Sequence, residues 1–248
     1  MTEAQSIRGA ARSDPWGLPA PHGVLGVLML ETRFPRLPGD IGHPATFAFP
    51  VRRAVVAGAS PQRVVRERDP ALLEPFIAAA RRLVDDEGAT AITTSCGFLV
   101  LWQRELQAAL PVPVWTSSLL LLPELARAGV VTIDAASLTA DHLRAAGADA
   151  ATPVEGLAAG CALQRTLLDD LPELDAADAE REVVAAAKRL LRREPALRHI
   201  VLECTNLPPY AGAVRRATGM AVHDITTLLA QRFAPRAGAE APRRASAQ

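Results

Sequence analysis

Two cysteines in this chain stand in settings of the same design. Thr93-Thr94-Ser95-Cys96-Gly97-Phe98 follows Ala89-Thr90-Ala91-Ile92, a small and partly β-branched run that predicts a buried strand, and precedes Leu99 to Leu106, which predicts a helix. His199-Ile200-Val201-Leu202-Glu203-Cys204-Thr205-Asn206 repeats the plan, with Leu207-Pro208-Pro209-Tyr210 opening the next helix. Each thiol is therefore expected where a strand's carboxyl end turns into a helix, the edge at which open α/β sheets bind ligands. The helix N–H groups there favour thiolate over thiol. A thiol's reference pKa of ~8.5 suits acid–base work near neutrality. Two thiols on opposite faces of one carbon can remove a proton from one side and return it from the other, without a cofactor. Ser95, Gly97, Phe98, Thr205 and Asn206 beside the cysteines, with Ser117 and Ser118, are the candidate substrate-binding residues that would hold the carboxylate or carbonyl.

The elements that must carry these turns alternate strand and helix. Strands are expected at 23–30, 51–57, 89–92, 111–115, 129–133, 152–154, 199–203 and 220–223. The apolar spacing of Leu72, Leu73, Phe76, Ile77, Ala80, Leu83 and Val84 predicts a helix introduced by Asp69-Pro70 and closed by Gly88. Further helices are expected over 119–127, 134–146, 158–170, 176–194 and from Asp224 to about Phe233, with Asp224 as cap. Four prolines between Pro35 and Pro50 exclude a helix and leave a long loop over 31–50. The fold class follows as α/β, with two pseudo-symmetric lobes, each a parallel sheet flanked by helices, and the active site in the cleft between them. The first lobe is expected to comprise 23–117 plus 206–233 and the second 118–205. Residues 1–22 and 234–248, poor in periodicity and rich in Ala, Arg and Pro, read as disordered tails.

Composition narrows the functions. The 248 residues carry 27 basic and 27 acidic side chains, which gives no electrostatic footprint for nucleic acid or an anionic membrane. Three cysteines form no even framework, so free thiols in a reducing, cytoplasmic setting are expected. No apolar run approaches the ~20 residues of a membrane helix, and the N-terminus lacks a signal-peptide core. His43, His199 and His223 show no metal spacing, and the glycines of Gly23-Val24-Leu25-Gly26 do not continue into a phosphate-binding pattern, so neither metal nor nucleotide cofactor is assigned. Cys161 lies among Ala and Leu and reads as a packing residue; Asp40, Glu203 and His223 read as structural before they read as groups tuning a thiol.

The two cysteine turns resemble the paired signatures of the aspartate/glutamate/hydantoin racemase superfamily, and the resemblance runs from about Gly23 to Phe233. It implies Cys96 and Cys204 as the two acid/base residues of a cofactor-independent racemase or epimerase. The substrate would be an amino acid or related small acid, inverted next to its carboxylate, and the protein a homodimer. The sequence departs from that pattern. Glutamate racemases follow the first cysteine with Asn and Thr, where Gly97 and Phe98 stand; they place His two residues after the second, and aspartate racemases Glu, where Asn206 stands. Acidic amino acids are therefore a poor fit. The alternatives are a maleate-type cis–trans isomerase, an arylmalonate-type decarboxylase, whose relatives keep only the second-half cysteine, and a non-catalytic protein that binds small acids.

Overall fold

A computed structural model describes residues 23–233; the two expected tails lie outside them. The first sheet comprises β1 (Val24–Leu30), β2 (Val51–Val56), β3 (Ala89–Thr94) and β4 (Val114–Trp115) in the order β2-β1-β3-β4. The second comprises β5 (Ala128–Thr132), β6 (Val154–Gly156), β7 (His199–Leu202) and β8 (Ala221–His223) in the order β6-β5-β7-β8. Every pairing is parallel. The second order repeats the first, so β3 and β7, the strands that run into the two cysteines, hold equivalent places.

Equivalence extends to single hydrogen bonds. Ser95 N–H donates to the Leu28 carbonyl at 2.9 Å, and Glu203 N–H donates to the Val131 carbonyl at the same distance. β1 is buried along nearly its whole length because it is central, with helices on one side and the chain's last helix on the other. Gly26 is there because a Cβ would stand 2.5 Å from Ile92 Cδ1. The helices α1 (Leu73–Asp85) and α2 (Gln103–Ala109) belong to the first lobe; α3 (Ala140–Ala145), α4 (Ala162–Leu168), α5 (Ala176–Arg193) and α6 (Ala211–Thr218) belong to the second. α1 buries Phe76, Ile77, Ala80 and Leu83, the stripe its spacing predicts, and Asp69 accepts from Ala71 N–H at the turn before it.

Three expectations change. Residues 206–233 do not all return to the first lobe: β8 pairs with β7, and α6 packs on α5. Only the last helix, α7 (Ile225–Arg232), crosses back, seating Ile225, Leu228, Leu229 and Phe233 against Leu25, Val27 and Met29 of β1. The helices expected at 134–146 and 158–170 shorten to α3 and α4, because Asp134 accepts from Ala136 N–H and Ser137 in a turn, and Cys161 is itself the cap residue of α4. The segment Ser118–Glu124 winds as a 3-10 helix. Among the described residues, no helix is long and apolar enough to cross a membrane.

Candidate active site

β3 and β7 deliver Cys96 and Cys204 to the walls of one small cavity. Both thiols are free and 8% exposed. Its walls are mostly apolar, with Leu30, Val65, Leu167 and the rings of Phe34 and Phe98, and one cation, Arg36, reaches it from the loop over 31–50. Small-molecule sites share this character, an apolar hollow with few convergent polar groups.

The two turns are bolted to each other. Thr205 Oγ1 donates to the Ser95 carbonyl at 2.6 Å, tying the residue after one cysteine to the residue before the other. Thr94 Oγ1 donates between the carbonyls of Cys96 (2.9 Å) and Thr116 (2.7 Å). The loop is fastened to the second turn in its own right. Arg36 Nη1 meets Asp40 Oδ1 at 2.9 Å, Asn206 Nδ2 donates to Asp40 Oδ2 at 2.5 Å, and the Cys204 thiol donates to Asn206 Oδ1 at 3.4 Å. A polar chain thus runs from the cation to the thiol. Arg36 also stacks over the Phe34 ring, 4.9 Å from its centre, which fixes the direction of its guanidinium.

Of the residues singled out in the sequence, Cys96, Cys204, Ser95, Gly97, Phe98 and Asn206 line the cavity. Ser117, Ser118 and Thr205 are not among its walls. Ser117 accepts from Leu119 N–H as a helix cap, Ser118 donates to the Leu202 carbonyl at 2.8 Å, and Thr205 makes the bolt described above. Their hydroxyls are buried in the framework that holds the turns. Two residues carry charge into the cavity that composition did not single out as site residues, Arg36 and Glu203. In the sequence the Pro-rich loop signals the first only as a segment, and the second stands next to a cysteine with nothing local to mark it as more than structural.

The thiols are not poised as thiolates. Phe98 and Leu99 N–H groups hydrogen-bond towards Cys96 and lower its pKa, as a helix start should, but burial first and the charge of Glu203 second push it up to about 12. Cys204 is likewise raised by burial and then by Glu203, against the Asn206 N–H. The expected preference for thiolate is overturned because both sulfurs are shut away from water. His199 Nδ1 and His223 Nε2 lie 3.0 Å apart at the opposite end of β7, away from the cavity. Among the described residues, no cluster of three or more His, Cys, Asp or Glu could hold a metal ion.

No family model matches the chain. A dimethylsulfoniopropionate lyase of Durusdinium sp. clade D is 30% identical over 223 residues, which take in 82% of this chain and 71% of that protein. Dimethylsulfoniopropionate lyases 5 and 3 of Emiliania huxleyi (strain CCMP1516) are 29% and 30% identical, and the chain spans 44% and 61% of their lengths. Among solved structures, allantoin racemase from Klebsiella pneumoniae superposes with a TM-score of 0.57 at 16% identity, covering 83% of this chain and 84% of that one. Unliganded arylmalonate decarboxylase gives 0.55 at 17% identity, covering 83% and 88%. At such identities these structures speak for the fold alone, two lobes each built on a parallel sheet. The chain belongs to the family of the dimethylsulfoniopropionate lyases.

Proposed function

We propose that this chain is a carbon–sulfur lyase that eliminates a dialkyl sulfide from a small β-sulfonio carboxylate, with dimethylsulfoniopropionate as the substrate suggested by its relatives. The observation that carries the reading is the meeting of two thiols, one guanidinium and two aromatic rings in a single small cavity. Arg36 suits the carboxylate, since a guanidinium offers paired donors to both oxygens. Phe34 and Phe98 suit the sulfonium, because a cation is drawn to an aromatic face.

The chemistry begins as in a racemase. A thiolate formed at Cys96 or Cys204 takes a proton from the carbon next to the carboxylate, and the electron pair moves onto the carboxylate oxygens beside Arg36. With a leaving group on the next carbon, that pair returns to form the C=C bond, and the C–S bond breaks with its electrons going to sulfur. Dimethyl sulfide leaves neutral, acrylate remains, and the abstracted proton stays on the thiol. The second thiol, on the wall of the same cavity, can donate its S–H to the developing charge.

The test is direct. The purified chain incubated with dimethylsulfoniopropionate should release dimethyl sulfide and acrylate in equal amounts, read by headspace gas chromatography and liquid chromatography. Cys96→Ser and Cys204→Ser should each lose at least 100-fold, on the scale of about 10²–10⁴ for a proton-transfer group. A two-base racemase is the second reading, favoured by the equivalent turns from which the two thiols enter the cavity. Absence of sulfide, together with deuterium entering an amino acid or hydantoin from heavy water, would replace the lyase by the racemase.

A further inference from the structure

Glu203 is 0% exposed, and only one of its two carboxyl oxygens is satisfied. Oε2 accepts from Thr132 Oγ1 at 2.7 Å, whereas Oε1 is sealed from solvent and has no hydrogen-bond partner. The side chain borders the cavity together with both thiols. Its backbone belongs to the Cys204 turn, but its free oxygen lies against the Cys96 turn: a Cβ on Gly97 would stand 2.2 Å from Oε1. Glycine at 97 is what admits the carboxyl to this place.

The equivalent residue of the first lobe sharpens the point. Ser95 also precedes its cysteine, and its hydroxyl oxygen accepts from Leu30 N–H at 2.8 Å. A carboxyl that merely tied β5 to β7 would be satisfied in the same way. A buried carboxylate with an unpaired oxygen is costly, and it relieves that cost by holding a proton or by passing one to a neighbour. Burial pushes Glu203 up to about 7, against the Thr132 hydrogen bond that lowers it. With Thr132 donating to Oε2, the proton sits on Oε1, the oxygen that faces the first cysteine turn.

We propose that Glu203 is the proton-accepting partner of the thiol pair: it takes a thiol's proton to create the basic thiolate and clears the substrate's proton from that thiol after each turnover. The inference rests on the lyase reading for the second half of that role, because an elimination leaves one proton on the enzyme per cycle whereas a racemisation leaves none. The transfer is balanced. The S–H proton moves to Oε1, the negative charge moves from carboxylate to sulfur, and when product leaves, Glu203 gives the proton to water that enters the cavity it borders. The charge on Glu203 raises both thiols, so its neutralisation eases their ionisation. The other ionisable groups that act on the thiols are Arg36, felt by Cys96, Asp40, felt by Cys204 and paired with Arg36 at 2.9 Å, and Tyr210 beside Cys204, which burial keeps protonated.

The experiment is the pH dependence of iodoacetamide alkylation of Cys96 and Cys204 between pH 6 and 10, read by mass spectrometry, with half-buried Cys161 as internal control. Wild type should show a limb near pH 7 in the reactivity of the paired thiols, E203Q should lose it, and T132V should move it to higher pH. In the lyase assay E203Q should lower kcat at least 10-fold while KM stays within about threefold. A limb that survives in E203Q overturns the proposal; should E203Q not fold, a limb unmoved in T132V overturns it. Loss of the limb in E203Q, with no sulfide released by wild type, would keep the role and remove the lyase reading. An unchanged limb in a wild type and variant that both release sulfide would remove the role and keep the lyase.

Discussion

Arg36 and Glu203 place a cation and a titratable carboxyl on the walls of one apolar cavity, and each can be probed without touching a thiol. Arg36→Met should raise KM for a carboxylate substrate by about 10- to 100-fold, the loss of a charge-assisted hydrogen bond worth about 1.5–3 kcal/mol. Arg36→Lys should recover part of it, because charge survives and the paired donors do not. Steady-state kinetics over a substrate range checks both. Glu203 also writes itself into stability. Its folded pKa of about 7 lies above the ordinary 4.5, so the folded state binds the extra proton between those values, and stability falls as pH rises through that window. His142 acts in the opposite sense. Burial first, then the charge of Arg68, lower it from 6.5 to about 4, so stability falls as pH drops from 6.5 towards 4. Each shift amounts to roughly 3 kcal/mol, and over pH 4.5–6.5 they offset each other. Urea melts at pH 5, 6 and 7 should be nearly flat for wild type, rise with pH for Glu203→Gln, and fall with pH for His142→Phe.

At the scale of elements, the two strand-to-helix turns are rigid because their backbones interlock. Gly97→Ala is the sharpest test. Its Cβ would meet not only the Glu203 side chain but also the Glu203 carbonyl oxygen, at 2.5 Å, and a strand-end carbonyl cannot step aside as a side-chain tip can. The cost of such overpacking is about 1–3 kcal/mol, and a thermal scan should show Tm lower by roughly 2–4 °C for each kcal/mol. Removing the Glu203 side chain in the same protein should restore little of it. The strands and turns were legible in the sequence because each announces itself locally. β1, β3 and β7 are short apolar runs, each cysteine ends one, and Asp224 accepts from Thr227 N–H at the start of α7 as its residue type predicts. The extent of α3 and α4 was not, because Asp134 and Cys161 precede apolar spacing that continues a helical pattern the backbone does not follow.

The whole molecule is two repeats of one sheet order, closed by a helix that leaves the second for the first. α7 covers the face of β1 opposite α1, and Leu228, fully buried there, should cost about 2–5 kcal/mol when truncated to Ala. Because it lies on the far side of the first sheet from the thiols, the variant should unfold at lower urea yet retain full activity where folded. Across the cleft, Asp170 of the second lobe accepts from the N–H groups of Arg33 and of the cavity-lining Phe34, at 2.6 and 3.3 Å, three and two residues before Arg36. Asp170→Ala should loosen that loop and raise KM several-fold with little change in Tm, since an ion pair whose arginine is exposed contributes little to stability.

Period, caps and apolar runs determined, from the sequence by itself, that the chain is a doubled α/β fold with a thiol at a strand end in each half, since these properties depend only on near neighbours. Only the tertiary structure decided that Arg36 and Glu203 join the thiols, that Ser117, Ser118 and Thr205 belong to the scaffold, and that burial holds both sulfurs protonated. Those outcomes turn on which groups share a water-excluded space. Residues 36, 96 and 203 meet there through chain crossings between two lobes, and no local pattern along the chain encodes such a meeting.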